Sequence, residues 1–218
     1  MSAPGVRLVG VSHPSVVALA AALGAGEPWA APEPPKLSGF EWTFVDLLEE
    51  WRERTTAALR GAERIVVCTW PRPSPPKRCI ELNAAEWCAA AEWESALWFS
   101  ALQAAAAACA DGGAIAVVVE RPVSLDAEGR APLVAVAEGI ITFARSLAIC
   151  EGGRSVRINS VSTEIATAPA RLLGLAPPLA SFPGRAEVEV AGAVRMLLSA
   201  DAAGVTGSVV RADCGRAW

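Results

Sequence analysis

The stretch from Pro132 to Val161 constrains this chain more than any other. Leu133 to Cys150 is a long, apolar, Ala-rich run without internal proline, and it predicts a helix buried over most of its surface. Glu151-Gly152-Gly153 stops that helix, because glycine accepts the left-handed backbone that ends a helical turn. Ser155 to Val161 then alternates Val, Ile and Val with polar residues and predicts a strand. A buried helix feeding a strand is the central unit of an α/β sheet.

The remaining segments repeat that alternation. Val6–Val11 reads as a strand, and a helix follows from Ser15 to about Leu23, with Ser12 or Ser15 as cap and Gly24 as stop. Gly26 to Gly39 is too proline-rich for a regular helix or a central strand. Glu41–Asp46 reads as a strand, Leu47–Leu59 as an amphipathic helix, and Arg64–Thr69 as a buried strand. After a second proline-rich loop, Pro71–Arg78, a long helix is predicted over Asn83–Ala110, carrying Trp87, Trp93 and Trp98. Gly113–Val119 is a continuous apolar strand of the parallel-sheet kind. Ser162–Gly184 is irregular, Glu187–Ser199 helical, and Gly207–Ala212 the last strand. Strand alternates with helix throughout, so the expected fold is a doubly wound α/β sheet in one domain spanning 1–218.

Composition narrows the function. Hydrophobic residues make up 53% and charged residues only 19%, so much apolar surface needs cover, which an obligate partner can supply. A net charge of −4 without a basic stripe argues against nucleic acid. No stretch reads as a membrane span; Ala101–Ala110 is apolar but short and ends at Asp111. The N-terminus does not read as a signal peptide. The six cysteines (68, 79, 88, 109, 150 and 214) form no CxxC pair, and His13 is the only histidine. That excludes the usual zinc patterns and predicts reduced, mostly buried thiols in a cytoplasmic protein. The chain has no tyrosine, which removes one class of catalytic acid.

Strand, tight turn and helix at the start resemble the opening of a nucleotide-binding βαβ unit. Such a turn needs glycines for backbone to approach a pyrophosphate. Here it reads Gly10-Val11-Ser12-His13-Pro14-Ser15; only Gly10 survives, His13 and Pro14 add bulk, and Pro14 lacks an N–H. The expectation is that no cofactor binds at this turn.

Four segments then stand in a telling order. Val156-Arg157-Ile158-Asn159-Ser160-Val161 resembles the IRVN-x-V strand of short-chain dehydrogenases/reductases. Leu197 to Gly207 is similar to that family's L-x-S-D-x-A-x-x-I-T-G, and Val209 to Gly215 to its closing I-x-V-D-G-G. Phe143-Ala144-Arg145-Ser146-Leu147-Ala148 matches its L-T-R-A-L-A helix end. The resemblance implies a Rossmann-like doubly wound parallel sheet, here truncated around the second strand and the helix after it.

It also implies what is missing. The family's chemistry uses Tyr-x-x-x-Lys one helical turn apart, with tyrosine as the acid at the carbonyl oxygen. Counting back from Arg145, those positions are Leu133 and Ala137, neither of which can donate a proton. The family's serine falls near Glu120 and its asparagine near Glu94. Its NNAG is replaced by Cys68-Thr69-Trp70-Pro71, and its PG by Thr163-Glu164. Asp46 matches the adenine-binding Asp in register, yet the ribose-binding strand before it reads as deleted, and Asp46 serves equally as a helix cap.

In that family the helices corresponding to Asn83–Ala110 and Leu133–Cys150 pair with their copies in a second subunit as a four-helix bundle. Expected interface residues are therefore Trp87, Trp93, Trp98, Ala135, Gly139, Phe143 and Leu147, the tryptophans serving as core or interface anchors. The resemblance implies a non-catalytic pseudoenzyme subunit. It would assemble, as a tetramer in family terms, with an active paralogue that carries NAD(P). Mixed complexes of this superfamily include ones oxidising hydroxyacyl-CoA intermediates in anaerobic aromatic (toluene) degradation. Two other readings stay open: rewired chemistry around Glu120, with Glu94, Asp46, Cys68 and His13, or a ligand-binding regulatory module. In the bland reading Glu120 is a solvated strand end paired with Arg121 or Arg130. Trp29 and Trp70 are candidate plugs of the cofactor cleft.

Overall fold

A computed structural model of the chain describes residues 5–33, 44–69, 75–122, 128–165 and 179–216. Six parallel strands form one sheet: β1 (Val6–Gly10), β2 (Trp29–Ala30), β3 (Ala62–Cys68), β4 (Cys109–Glu120), β5 (Arg157–Thr163) and β6 (Val209–Arg211). Their spatial order is β2-β1-β3-β4-β5-β6. Helices α1 (Pro14–Leu23), α2 (Phe44–Leu59), α3 (Ala84–Trp87), α4 (Trp93–Ala108), α5 (Ala131–Cys150) and α6 (Ala191–Leu198) connect them. A parallel sheet needs such crossovers and is covered on both faces, which explains the continuous apolar strands.

Strand register defines the two faces. Gly10, Cys68, Val118 and Val161 lie side by side across β1, β3, β4 and β5. A Cβ on Gly10 would sit 2.7 Å from Val16 of α1, so this face looks toward α1. Arg157, on the same side of β5, donates to the carbonyls of Leu197, Ala202 and Ser199 at 2.8, 3.0 and 3.0 Å. That bundle of bonds closes the C-terminus of α6 over the same face.

Several of the most recognisable sequence motifs prove to be joints. Asn159 donates to the Val205 carbonyl and accepts from the Ser208 N–H, at 2.8 and 3.0 Å. Thr206 Oγ1 accepts the Ile158 N–H at 3.1 Å, and Gly207, at φ 68°, donates to the Ile158 carbonyl at 2.8 Å. These residues seat β6 against β5 where a short strand has few ladder bonds of its own.

The structure corrects several expected boundaries. The second strand is not deleted: Trp29 and Ala30 pair with Val9 and Gly10, leaving a two-residue edge strand inside the proline-rich stretch. An edge tolerates prolines that a central strand would not. Phe44–Asp46 is the start of α2 rather than a strand, and Asp46 is exposed within its first turn, not a cap. Residues 41–43 of that expected strand lie outside the described residues. The long tryptophan helix is capped at Asn83, whose side chain accepts from Glu86 N while Glu86 reaches back, and it passes through a π-type turn (Cys88–Glu92) before α4. Trp93 and Trp98 are each 1% exposed and belong to this chain's own core, not to an interface. Phe44 meets Trp93 edge-on at 5.6 Å. Trp87 is half-buried against that core.

Helix Ala131–Arg154 is, by length and composition, apolar enough to cross a membrane, which the sequence pattern did not suggest. It packs on β5, β4 and α4. Only a third of its apolar window is buried inside the chain, against the expectation of burial over most of its surface.

Candidate functional site

In a doubly wound sheet, ligands sit outside the carboxyl ends of the strands. Helices that return antiparallel to the strands begin at that edge, so it gathers the first turns of α1, α4 and α5. The strand ends bring Gly10, Cys68-Thr69, Glu120, Thr163-Glu164 and Ala212–Arg216 to the same edge.

The turn after β1 has room for nothing but glycine at position 10: an added Cβ would lie 2.8 Å from the Cys68 carbonyl. Beyond it, backbone donors are spent internally. His13 N donates to the Val11 carbonyl, Pro14 has no N–H, and Val16 and Val17 donate to the His13 carbonyl. Ser15 N donates to His13 Nδ1 at 3.2 Å, so His13 is the cap of α1, in place of the expected Ser12 or Ser15. Burial lowers the His13 pKa, which keeps Nδ1 available as an acceptor. A pyrophosphate held by a helix N-terminus needs free amides. From His13 to Val17 none is free, so these residues do not fit a dinucleotide. Ser12 and Pro14 are exposed.

The opposite side of the edge is acidic and buried. Glu120 ends β4 at 2% exposure, in register with Thr163 of β5. This overturns the solvated-strand-end reading: Arg121 pairs instead with Glu138 at 2.6 Å. Glu164, directly after β5, is fully buried, and Glu94 on the first turn of α4 is 4% exposed. Cys68 is pushed well up in pKa by burial, and the Glu120 charge adds to the shift. A thiol held protonated beside a carboxylate is a poor nucleophile. The hydroxyls of Thr69 and Thr163 are buried without a hydrogen-bond partner. Ala137 is buried and Leu133 half-buried on the first turns of α5.

Other expected site residues are not brought here. Asp46 points to solvent on α2. Trp29 is 40% exposed on the edge strand, its Nε1 donating to Thr55 Oγ1 at 2.9 Å, so it plugs no cleft. Trp70 lies outside the described residues. Among the described residues, no group of His, Cys, Asp and Glu is arranged to hold a metal ion.

The expected interface residues divide by face. Ala135 and Gly139 are exposed on α5, Phe143 and Leu147 half-buried. Phe143 stacks on Phe99 of α4, centroids 5.1 Å apart, and Phe99 is 47% exposed. Phe99 was missed because it sits between the more conspicuous Trp98 and Ser100 in a run with little periodicity.

Against known proteins, no family model matches the sequence, and no curated protein does. Solved structures do. A doubly substituted variant of a Serratia marcescens short-chain dehydrogenase/reductase is 19% identical, covering 99% of this chain and 98% of its own, with a TM-score of 0.70. The short-chain dehydrogenase/reductase fold is therefore present. FabI from Alistipes finegoldii is 16% identical over 97% of this chain and 89% of its own, at a TM-score of 0.65. A structure described as a small-chain dehydrogenase gives 15% identity and a TM-score of 0.65, covering 97% of both chains. At such identities the likeness extends to the fold, and site chemistry must be read from the residues themselves.

Proposed function

We propose that this chain is a non-catalytic subunit on a short-chain dehydrogenase/reductase scaffold. It assembles with an active, NAD(P)-carrying paralogue in a cytoplasmic hetero-oligomer, a tetramer by analogy with the family. One observation carries the reading. Helix α5 carries an apolar window, interrupted at Glu138 and Arg145, of which only a third is buried within the chain. Its open side continues onto α4 through the Phe143–Phe99 stack. A face of this kind, with small Ala135 and Gly139 between larger residues, suits a pair of helices from another subunit. The spent amides of the α1 turn and the absence of tyrosine support assigning cofactor and proton transfer to the partner. A hydroxyacyl-CoA intermediate of anaerobic aromatic degradation is the substrate class suggested by analogous mixed complexes.

Affinity purification of the tagged chain from its native host, read by native mass spectrometry, tests this. The expected species contains a complete short-chain dehydrogenase in stoichiometric amount. A stable homo-oligomer with no dehydrogenase would overturn the reading. Titration of the isolated chain with NAD and NADP should show no binding; micromolar affinity for either would overturn the cofactor assignment.

A second reading rests on Glu120, a carboxylate buried beside the unpartnered Thr163 hydroxyl at the edge where this fold does chemistry. It places rewired catalysis or ligand binding there. Turnover of a carbonyl or acyl substrate by the purified chain, lost in Glu120→Gln, would support it; no turnover by any such substrate would end it.

A further inference from the structure

The sheet ends at β2, and an edge strand presents unpaired N–H and C=O groups on which another chain can add a strand. Which residues of β2 do so follows from its pairing. Trp29 and Ala30 lie opposite Val9 and Gly10, and Ala31 N donates to the Gly10 carbonyl at 2.9 Å. Successive residues of an extended chain turn their N–H and C=O to opposite sides. Glu27 and Ala31 each precede a proline, which holds them extended and carries the alternation past both ends of the strand. Trp29 and Ala31 therefore face β1, while Pro28, Ala30 and Pro32 face outward. Among the described residues no strand lies beyond them.

Each outward position is disarmed. Pro28 and Pro32 have no N–H to offer. Ala30 keeps its N–H, but its carbonyl accepts from Trp51 Nε1 of α2 at 3.0 Å. Trp51 is 3% exposed, so packing fixes the indole in place. Thr55, one turn further along α2, donates to the Trp51 carbonyl at 2.7 Å and accepts from Trp29 Nε1 at 2.9 Å. One indole thus reaches from strand to helix and ties β2 down. The other reaches from helix to strand and takes the acceptor that an incoming strand would need. We propose that Pro28, Trp51 and Pro32 form a guard against strand addition at the β2 edge, and that the partner it refuses is a second copy of this chain. Two copies meeting edge to edge about a two-fold axis would set Ala30 against Ala30. Each incoming N–H would then have to share its carbonyl with an indole, and Pro28 would face Pro32 at both ends of the seam.

The test uses the full-length chain carrying Pro28→Val, Pro32→Val and Trp51→Phe together, followed by sedimentation and hydrogen exchange. Phenylalanine fills much of the indole's space without its N–H. The triple variant should self-associate about a hundredfold more tightly than the parent, with new exchange protection in the 28–32 segment. Thr55→Val is the control: it releases Trp29 and loosens β2 but leaves the outward groups as they are, so it should associate no more than the parent. Unchanged association of the triple variant overturns the proposal. So does an equal rise in Thr55→Val, which would trace association to a loosened strand rather than an unguarded edge. Should the triple variant fail to fold, Pro28→Val with Pro32→Val, Trp51 retained, decides. Association about tenfold tighter, protecting the same segment, supports the guard, and no change overturns it. Because the protection is read at residues 28–32, neither result depends on the α4–α5 face or on whether a partner dehydrogenase exists.

Discussion

The carboxyl edge of the sheet and the outer face of α4 and α5 divide polar and apolar groups in the reverse of the usual way. At the edge, where related folds leave a crevice open, this chain buries Glu94, Glu120, Glu164 and Arg216 and spends the backbone amides of the α1 turn on itself. On the outer side it leaves Phe99 and Ile149 exposed, the latter by 82%, with Glu138 and Arg145 also exposed on α5. Surface apolar residues scattered singly mean little, whereas here Phe99 stacks on Phe143 of a helix whose apolar window is only a third buried. The difference teaches that the two regions follow different demands: the edge is organised inward, and the outer face outward.

The largest effects should separate interior from surface among neighbouring residues. Trp98 is 1% exposed, so Trp98→Ala should cost about 3–5 kcal/mol of folding stability in urea titrations, whatever the assembly state. If it left folding unchanged and only dissociated subunits, the division would be misplaced. Phe143→Glu should do the opposite: it should weaken subunit association by about 2–4 kcal/mol in sedimentation experiments, with far-UV dichroism preserved. An equally tight assembly would remove α5 from the interface.

Smaller effects probe the edge. His13→Ala removes the cap of α1 and should cost about 1 kcal/mol, while His13→Asn should cost far less. Because burial lowers the His13 pKa, the folded state favours neutral imidazole. Its contribution is complete above about pH 6.5 and is lost as pH falls below that value, so the parent should lose stability on acidification relative to His13→Asn. A parallel pH dependence in the two proteins would contradict the cap. Last, two of the six thiols, Cys79 and Cys150, are exposed, and should react promptly with a disulfide reagent at pH 8. Cys109, pushed up to about 11 mainly by burial, should lag far behind them. Prompt labelling of four or more thiols would show the interior to be open.

Much of the architecture was legible because parallel α/β folds write period into sequence. The apolar run Gly113–Val119 became the centre of β4, and Leu133–Cys150 nearly all of α5. Boundaries failed where local signals compete. Phe44 and Val45 look strand-like, but Phe44 is the first buried residue of an amphipathic helix whose Leu48, Trp51, Thr55 and Leu59 continue the same face. His13 was legible as an obstruction in the cofactor turn, not as a cap, because imidazole is an uncommon capping acceptor.

Two assignments show where sequence reasoning stops. Trp93 and Trp98 read from sequence as core or interface anchors, because composition cannot tell a chain's own core from a contact with another chain. That depends on which side of the helix meets α2, and α2 packs against α4. Glu120 reads from sequence as an ordinary charged strand end; only the closure of neighbouring elements over it removes it from water.

By itself, then, the sequence determined the alternation of strand and helix, the broken cofactor turn and the want of a tyrosine. These are matters of period and residue type, which act over a few neighbours. The tertiary structure alone decided which apolar residues are inside, that Glu120 and Glu164 are buried, and that the C-terminal turn carries Arg216 back against Phe182. Burial and charge pairing are properties of distances between segments far apart in the chain, and those distances exist only once the sheet has formed.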